Sequence, residues 1–151
     1  MFIHVMVGAK DLDTSRRFYD AALEPLGVRP GVVDERGRVW WLSGRSAFAI
    51  TTPIDGAQAS PANGGTIGFW APDSEAVDRF HSYGLASGGS PCEDPPGPRT
   101  VGAFGGMYVA YLRDPSGNKI CAIHRANDVD ERRTGAPGHA PVGKAVGSGK
   151  D

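Results

Sequence analysis

The feature that most constrains the fold of this chain is an internal repeat. Residues 65–81 match residues 3–19 when Thr66 is set against His4. The aligned helical segments then carry four related pairs, namely Asp11 with Asp73, Arg17 with Arg79, Phe18 with Phe80, and Tyr19 with His81. Chance does not readily place the whole set in one register, so we interpret the chain as one strand-loop-helix unit used twice.

The first half predicts a β-α-β-β-β order. Short β-rich runs separated by Gly and Pro predict strands near residues 2–7, 28–33, 38–42 and 47–52. Between the first two strands, apolar residues at helical spacing predict a helix that Asp13 or Thr14 caps and that Pro25 and Gly27 end. Alternation along the first strand places His4 on one face and leaves Ile3, Val5 and Val7 for helix packing.

The second half repeats that order. Strands are predicted at residues 66–71, 107–112 and 119–123. A helix capped by Asp73 or Ser74 follows the first of them, and residues 95–106, rich in Gly and Pro, are interpreted as a loop. The last two strands are joined by Asp114-Pro115-Ser116-Gly117-Asn118, a strong turn sequence.

These patterns predict an α+β protein with two βαβββ modules. Module one covers residues 1–53, a linker 54–65, and module two 66–125, so that the domain is 1–125. The tail 126–151 is rich in Gly, Ala and Pro and poor in large apolar residues, so we expect it to be flexible because it can bury too little surface to offset its ordering entropy.

Composition excludes several classes of function. The 151 residues carry a formal net charge of −1, which gives no electrostatic reason to expect nucleic acid or an anionic membrane as a partner. The longest apolar run is too short for a membrane span, and the first residues do not have the pattern of a signal peptide. Two cysteines, Cys92 and Cys121, are too few for a disulfide framework, so a cytoplasmic location is expected.

Three segments carry a family resemblance that covers about residues 1–125. They are Phe2-Ile3-His4-Val5-Met6-Val7, Asp11-Leu12-Asp13-Thr14-Ser15-Arg16-Arg17-Phe18-Tyr19, and the run from Tyr108 through Asp114-Pro115-Ser116-Gly117-Asn118 to Ile120. In these segments the chain resembles the vicinal oxygen chelate superfamily, which contains glyoxalases, bleomycin-resistance proteins and dioxygenases. The resemblance implies a cupped mixed sheet around a small-molecule cavity, and a homodimer.

The resemblance also implies where a divalent metal would bind. Members of this superfamily hold the metal with side chains from four strands, and the matching positions here are His4, Ala49, Thr66 and Cys121. Only His4 is a ligand of the family type, although Cys121 could join it on a soft ion such as zinc. Because Mn, Mg or Fe needs several carboxylate or imidazole donors, we expect no cofactor, with Zn, Mn, Fe or Ni as the alternative.

The same strand alternation predicts which side chains contact a ligand. The candidates for substrate binding are His4, Trp41, Thr66, Trp70, Arg99 and Cys121. Trp40 and Trp41 are adjacent, so only one of them is expected to face the cavity, and Arg99 could pair with an anionic group of the ligand. The alternative interpretation is that these side chains pack the core or face solvent.

Three functions remain open at this point. The preferred hypothesis is a glyoxalase/bleomycin-resistance-like protein that binds a small organic molecule beside a degenerate metal site. The second is a metal-dependent lyase, isomerase or dioxygenase that uses His4 and Cys121. The third is a metal-independent enzyme in which Cys121, Arg99 or Tyr108 acts as nucleophile, acid or base, and whether the chain is an enzyme is left open.

Overall fold

A computed structural model of the chain describes residues 2–101 and 105–125. Within these residues, nine strands and two α-helices follow one another as β1 (His4–Gly8), α1 (Leu12–Leu23), β2 (Val32–Val33), β3 (Val39–Ser43), β4 (Ser46–Thr51), β5 (Ile67–Trp70), α2 (Ser74–Ala86), β6 (Ser90–Pro91), β7 (Gly97–Val101), β8 (Gly105–Arg113) and β9 (Lys119–His124). The tail 126–151, for which flexibility was predicted, lies outside the described residues, and the module boundaries stay a prediction.

The strands form two mixed sheets, one for each half of the chain. The first has the order β1-β4-β3-β2, with β1 parallel to β4 and the other pairs antiparallel. The second has the order β5-β9-β8-β6, in which β5 is parallel to β9 and β7 also pairs with β8. The parallel pairing of the first strand with the last strand appears in both halves. The α+β architecture predicted from the repeat is confirmed.

An aspartate caps the N-terminus of each helix. The Asp11 carboxylate accepts a hydrogen bond from the backbone N–H of Thr14, and that of Asp73 accepts one from Ala76. Asp73 was one of two predicted caps, whereas the prediction of Asp13 or Thr14 for the first helix was wrong. Asp11 takes that role because its backbone is extended (φ −141°) and its side chain reaches the N–H three residues on.

The core lies between the helices and one face of each sheet. Side chains of this core face include Val39, Trp41, Phe48, Ile50, Ile120 and Ala122, packed against Phe18, Tyr19, Leu23, Val77 and Phe80 of the helices. We call the opposite face of each sheet its outer face. As predicted, Val7 packs against the core, but Ile3 is 77 % exposed because β1 begins only at His4.

The helices cross closely at a glycine. A Cβ added to Gly84 of α2 would lie 2.4 Å from Cδ1 of Leu112 and 3.3 Å from Cε2 of Phe18. Only a residue without a side chain lets α2 approach both α1 and β8 at this point. The close approach fixes how the two halves sit against each other.

The segment 95–106, interpreted from the sequence as a loop, contains a strand. Residues Gly97–Val101 form β7, which pairs with β8 so that Arg99 lies opposite Met107. The prediction of a loop was wrong for these residues, and residues 102–104 lie outside the described part. Among the described residues, no helix has the length and apolar character needed to cross a membrane.

Candidate functional site

A cavity of about 340 Å³ opens where the edge of the first sheet approaches the edge of the second. We call it the apolar cavity. Its apolar lining consists of Phe2, Val5, Leu23, Val28, Trp41, Ala47, Phe48, Ile67 and Phe69, with Gly68 beside them. Three polar side chains complete it, those of His4, Ser43 and Ser46. The size and the lining, mostly apolar with few polar groups, are typical of a site for a small organic ligand.

Aromatic rings form the inner end of the apolar cavity. The ring centroids of Trp41 and Phe48 are 5.7 Å apart, and those of Phe48 and Phe69 are 5.2 Å apart and nearly perpendicular. Trp41 is only 2 % exposed. The tilted contact of Phe48 with Trp41 and its edge-to-face contact with Phe69 hold these rings in fixed orientations, so this wall is formed before any ligand arrives.

Asp20 of α1 holds Trp41 in place. Its Oδ1 accepts hydrogen bonds from Nε1 of Trp41 at 2.8 Å and from the backbone N–H of Gly31 at 2.7 Å. A Cβ on Gly31 would lie 2.8 Å from the Trp41 ring, so the backbone itself packs against the indole. One carboxylate therefore fixes both the wall of the cavity and the segment that leads into β2.

His4 lies at the mouth of the apolar cavity and is exposed. Its ring meets that of Trp40 edge to face, with centroids 5.6 Å apart. The Trp40 indole in turn donates a 2.9 Å hydrogen bond to Asp34, a residue whose pKa is held well below its usual value mainly by the Arg38 side chain. Trp40 and Trp41 thus project to opposite faces of β3, as alternation requires, and both are tied to carboxylates.

The four positions that match metal ligands of the family do not form a ligand set. Ala47 pairs with His4 and Met6 pairs with Ala49, so His4 and Ala49 share the outer face of the first sheet. Thr66 is exposed and lines a different cavity, and Cys121 is buried on β9. Within residues 2–101 and 105–125 no group of three or more His, Cys, Asp or Glu side chains is arranged to hold a metal ion. The residues present do not fit a hard divalent cation.

Cys121 is enclosed rather than reactive. It is 3 % exposed and pairs with Gly68, where a Cβ would lie 3.4 Å from Sγ. Burial raises the pKa of its thiol from 9.0 to about 12, although the Lys119 ammonium acts in the opposite direction. A thiol with such a pKa is protonated at neutral pH and is a poor nucleophile.

Arg99 and Tyr108 line a third cavity, of about 340 Å³, together with His124 and Ser74. The Arg99 guanidinium donates to the carbonyls of Pro95 and Pro98, at 2.8 and 3.0 Å. Tyr108 lies on the helix side of β8 and donates a 3.0 Å hydrogen bond to Asp78 of α2, and this bond is the main reason that its pKa is raised. The polar groups of both Arg99 and Tyr108 therefore form hydrogen bonds within the protein.

Trp70 lies on the outer face of β5, opposite Ile123 in the register.

Of the six candidates for ligand contact, the structure brings His4 and Trp41 together in the apolar cavity. Leu23, Val28, Phe48 and Phe69 also line it, and they were not among the residues predicted from the sequence. Phe48 and Phe69 lie on the core faces of β4 and β5, Leu23 ends α1 and Val28 follows it, and the cavity is lined by these residues as well as by residues of the outer face. The signal available was the aromatic character of Phe48 and Phe69, which also suits an ordinary core.

Comparison with solved structures identifies relatives of the same shape. A glyoxalase/bleomycin resistance protein from Albidiferax ferrireducens T118 is 54 % identical, with a TM-score of 0.79, and the match covers 83 % of this chain and 99 % of that one. A lactoylglutathione lyase from Agrobacterium tumefaciens is 22 % identical, with a TM-score of 0.56 and coverage of 82 % and 92 %. The second likeness shows the fold alone.

A third relative is a glyoxalase/bleomycin resistance protein/dioxygenase family enzyme from Burkholderia phytofirmans PsJN, 17 % identical, with a TM-score of 0.61 and coverage of 81 % and 96 %. No protein of curated function matches the chain. The sequence profile of the Glyoxalase/Bleomycin resistance protein/Dioxygenase superfamily matches residues 2–122. The family that the repeat and the turn motif indicated is therefore confirmed, and the chain belongs to the Glyoxalase/Bleomycin resistance protein/Dioxygenase superfamily.

Proposed function

We propose that this protein binds a small, mainly apolar organic molecule in the apolar cavity. The observation that carries the proposal is the lining, in which aromatic rings form a rigid wall and only His4, Ser43 and Ser46 offer polar groups. Burial of an apolar ligand against such a wall contributes roughly 25 cal/mol for each Å² removed from water. The few polar groups at one end would orient the ligand.

The chemistry of the donors favours binding over metal-assisted catalysis. Where the family places metal ligands, Ala49 has no donor atom and Thr66 offers only a neutral hydroxyl. His4 alone does not hold a divalent cation against water. A metal-dependent lyase, isomerase or dioxygenase is therefore the less supported alternative.

The environment of the candidate nucleophile, acid and base gives little support to a metal-independent enzyme. The raised pKa of Cys121 keeps its thiol protonated, and the Tyr108 hydroxyl is committed to Asp78. Arg99 donates to two backbone carbonyls. None of the three has a polar atom among those that line the apolar cavity.

Titration with a fluorescent apolar molecule tests the proposal. N-phenyl-1-naphthylamine is neutral, and its emission rises when it leaves water, so it reports on occupancy of the apolar cavity. We expect saturable binding at one site per chain. The variant Ala47→Phe places a phenyl ring in the lining and should weaken this binding at least about tenfold, the loss expected from about 1.4 kcal/mol.

Ala86→Phe is the matched control, because Ala86 is exposed near the end of α2 and remote from the lining. It should bind the probe as the unsubstituted chain does. Equal binding by Ala47→Phe would show that the probe does not occupy this cavity and would overturn the proposal. Elemental analysis of protein purified without chelators extends the test, since stoichiometric Mn, Fe, Ni or Zn lost in His4→Ala would favour the metal-dependent alternative.

A homodimer and a cytoplasmic location stay predictions. The outer face of the first sheet carries Val32 and Leu42, which are 62 % and 65 % exposed in the single chain. Exposed apolar side chains on a sheet are commonly covered by a partner. Sedimentation equilibrium of the full chain measures whether two copies associate.

A further inference from the structure

A second cavity, of about 300 Å³, differs in character from the apolar cavity. We call it the basic cavity. It is bounded by the linker residues 61–66 and by two cationic side chains, Arg113 at the end of β8 and Lys119 at the start of β9. The two cations lie opposite each other in the β8–β9 register.

The charges around the basic cavity leave one cation in excess. Lys119 forms an ion pair with Glu93, and its ammonium also lies 4.8 Å above the ring of Tyr111. The acidic neighbour of Arg113 in the chain, Asp114, is buried and accepts from Ser116 and Asn118 in the turn. Arg113 donates through one NH group to the Gly117 carbonyl at 3.0 Å and forms no ion pair with any residue described.

The geometry leaves this guanidinium able to bind a partner from outside. One NH group is anchored to the turn, and the remaining donors have no hydrogen bond within residues 2–101 and 105–125. A fixed guanidinium with free parallel donors matches the planar, two-oxygen geometry of a carboxylate, and it also suits a sulfonate or a phosphate.

The linings of the two cavities adjoin where β5 begins. Thr66 lines the basic cavity, and the next residue, Ile67, lines the apolar cavity, as does Gly68. Consecutive Cα atoms are about 3.8 Å apart, so the linings of the two cavities come within one residue of each other along β5.

We propose that the ligand is a small organic anion whose apolar body occupies the apolar cavity and whose anionic group lies in the basic cavity against Arg113. The inference rests on the proposed function and adds the chemical class of the ligand. Arg113 is then a residue that selects among apolar molecules by charge. The shared chemistry is an anionic group on an aromatic or aliphatic body, and carboxylates, sulfonates and phosphates all satisfy it.

Two fluorescent probes that share one body test this assignment. N-phenyl-1-naphthylamine is neutral, and 1-anilinonaphthalene-8-sulfonate is the same molecule with a sulfonate group. We expect the full chain to bind the sulfonate more tightly. Arg113→Gln should raise the Kd of the sulfonate about two- to fivefold, as expected for an exposed ion pair, and leave the Kd of the neutral probe unchanged.

Two controls make the comparison specific. Arg17→Gln removes an exposed arginine of α1 that donates only to Thr14 among the described residues, and it should change neither Kd. In the unsubstituted chain, the advantage of the sulfonate over the neutral probe should shrink as NaCl rises from 50 to 500 mM, because salt screens exposed charges. The salt series uses the unsubstituted chain, so it tests the proposal even if Arg113→Gln folds poorly.

The outcomes separate the two proposals. If the neutral probe binds and responds to Ala47→Phe, but Arg113→Gln and salt leave the sulfonate Kd unchanged, the inference about the anion is overturned and the proposed function stands. If neither probe shows saturable binding, both proposals are overturned. Retention of the sulfonate preference in Arg113→Lys, together with its loss in Arg113→Gln, would support the assignment of charge to this position.

Discussion

The hydroxyl of Tyr19 in the first half donates a 2.8 Å hydrogen bond to Oδ2 of Asp114 in the second half. Asp114 also accepts from the backbone N–H groups of Ser116 and Asn118 and from the Asn118 amide, so its carboxylate has four donors. Burial, and next the charge of Asp114, raise the pKa of Tyr19 well above its usual value. The tyrosine therefore stays neutral and continues to donate.

The turn that contains Asp114 also contacts the β1–α1 connection. The Ser116 hydroxyl accepts from the backbone N–H of Lys10 at 2.9 Å, and the Asn118 amide donates to the Gly8 carbonyl at 3.1 Å. These contacts join residues more than one hundred positions apart in the chain. The Asp114–Asn118 turn, which is part of the family resemblance, therefore links the two halves through hydrogen bonds.

Removing the Tyr19 hydroxyl should weaken this contact between the halves and destabilise the protein. In Tyr19→Phe the buried carboxylate of Asp114 loses one donor, and we expect the free energy of unfolding in urea to fall by about 1.5–3 kcal/mol. Asp114→Ala should cost more, because it leaves several buried donors without an acceptor. Tyr83→Phe is the control, since Tyr83 is 43 % exposed, and an equal loss there would contradict the role assigned to the hydrogen bond.

The sequence predicted those parts of the fold that depend on local patterns. Alternating apolar residues and turn sequences placed most strands within a few residues of their positions, and the repeat predicted that each half begins with a strand followed by a helix. The second half has four strands after its helix rather than three, because β6 and β7 were not predicted. Segment 97–101 was missed because Gly97 and Pro98 indicate a loop. A proline is tolerated there because β7 pairs with β8 alone among the described strands, so its missing N–H disrupts no second ladder.

The candidate site was only partly predictable, because it depends on how the two halves pack. His4 and Trp41 followed from alternation and from the family positions, and both line the apolar cavity. Phe48 and Phe69 belong to different sheets, and their ring centroids come within 5.2 Å of each other only when the two halves pack together. No local pattern encodes such a contact between residues distant in the chain.

The two cysteines should differ in reactivity toward iodoacetamide. Cys121 is buried, and its pKa of about 12 instead of 9.0 reduces the thiolate fraction at pH 8 about a thousandfold. Cys92 is partly exposed. Mass spectrometry of native protein at pH 8 should find the label on Cys92 first, and urea should expose both residues. Rapid labelling of Cys121 in the native Cys92→Ser variant would contradict this and would revive its role as a nucleophile.

Alkaline pH should destabilise the protein through the same thiol. Because burial raises the pKa of Cys121 from 9.0 to about 12 in the folded protein, its contribution to stability is complete below pH 9 and is lost as the pH rises from 9 to about 12. Between these two values the unfolded chain releases the proton and the folded chain keeps it. The free energy of unfolding should therefore fall more steeply between pH 8.5 and pH 10.5 in the unsubstituted chain than in Cys121→Ala. The alanine variant retains Tyr19, whose raised pKa contributes equally to both proteins. Parallel curves would contradict the assignment.

The carboxylate of Asp20 should control the shape of the apolar cavity through Trp41. Asp20→Ala leaves the Trp41 indole and the Gly31 amide without their acceptor, so we expect a loss of about 1–3 kcal/mol in urea unfolding and weaker binding of N-phenyl-1-naphthylamine. Asp20→Asn keeps an oxygen in the same place and should restore most of both. If asparagine behaved as alanine does, the charge that faces Arg16 at 3.6 Å would be the important feature. Unchanged probe affinity in Asp20→Ala would show that the ring does not need this carboxylate, because the contacts of Phe48 and Tyr19 with Trp41 would then suffice to hold the wall.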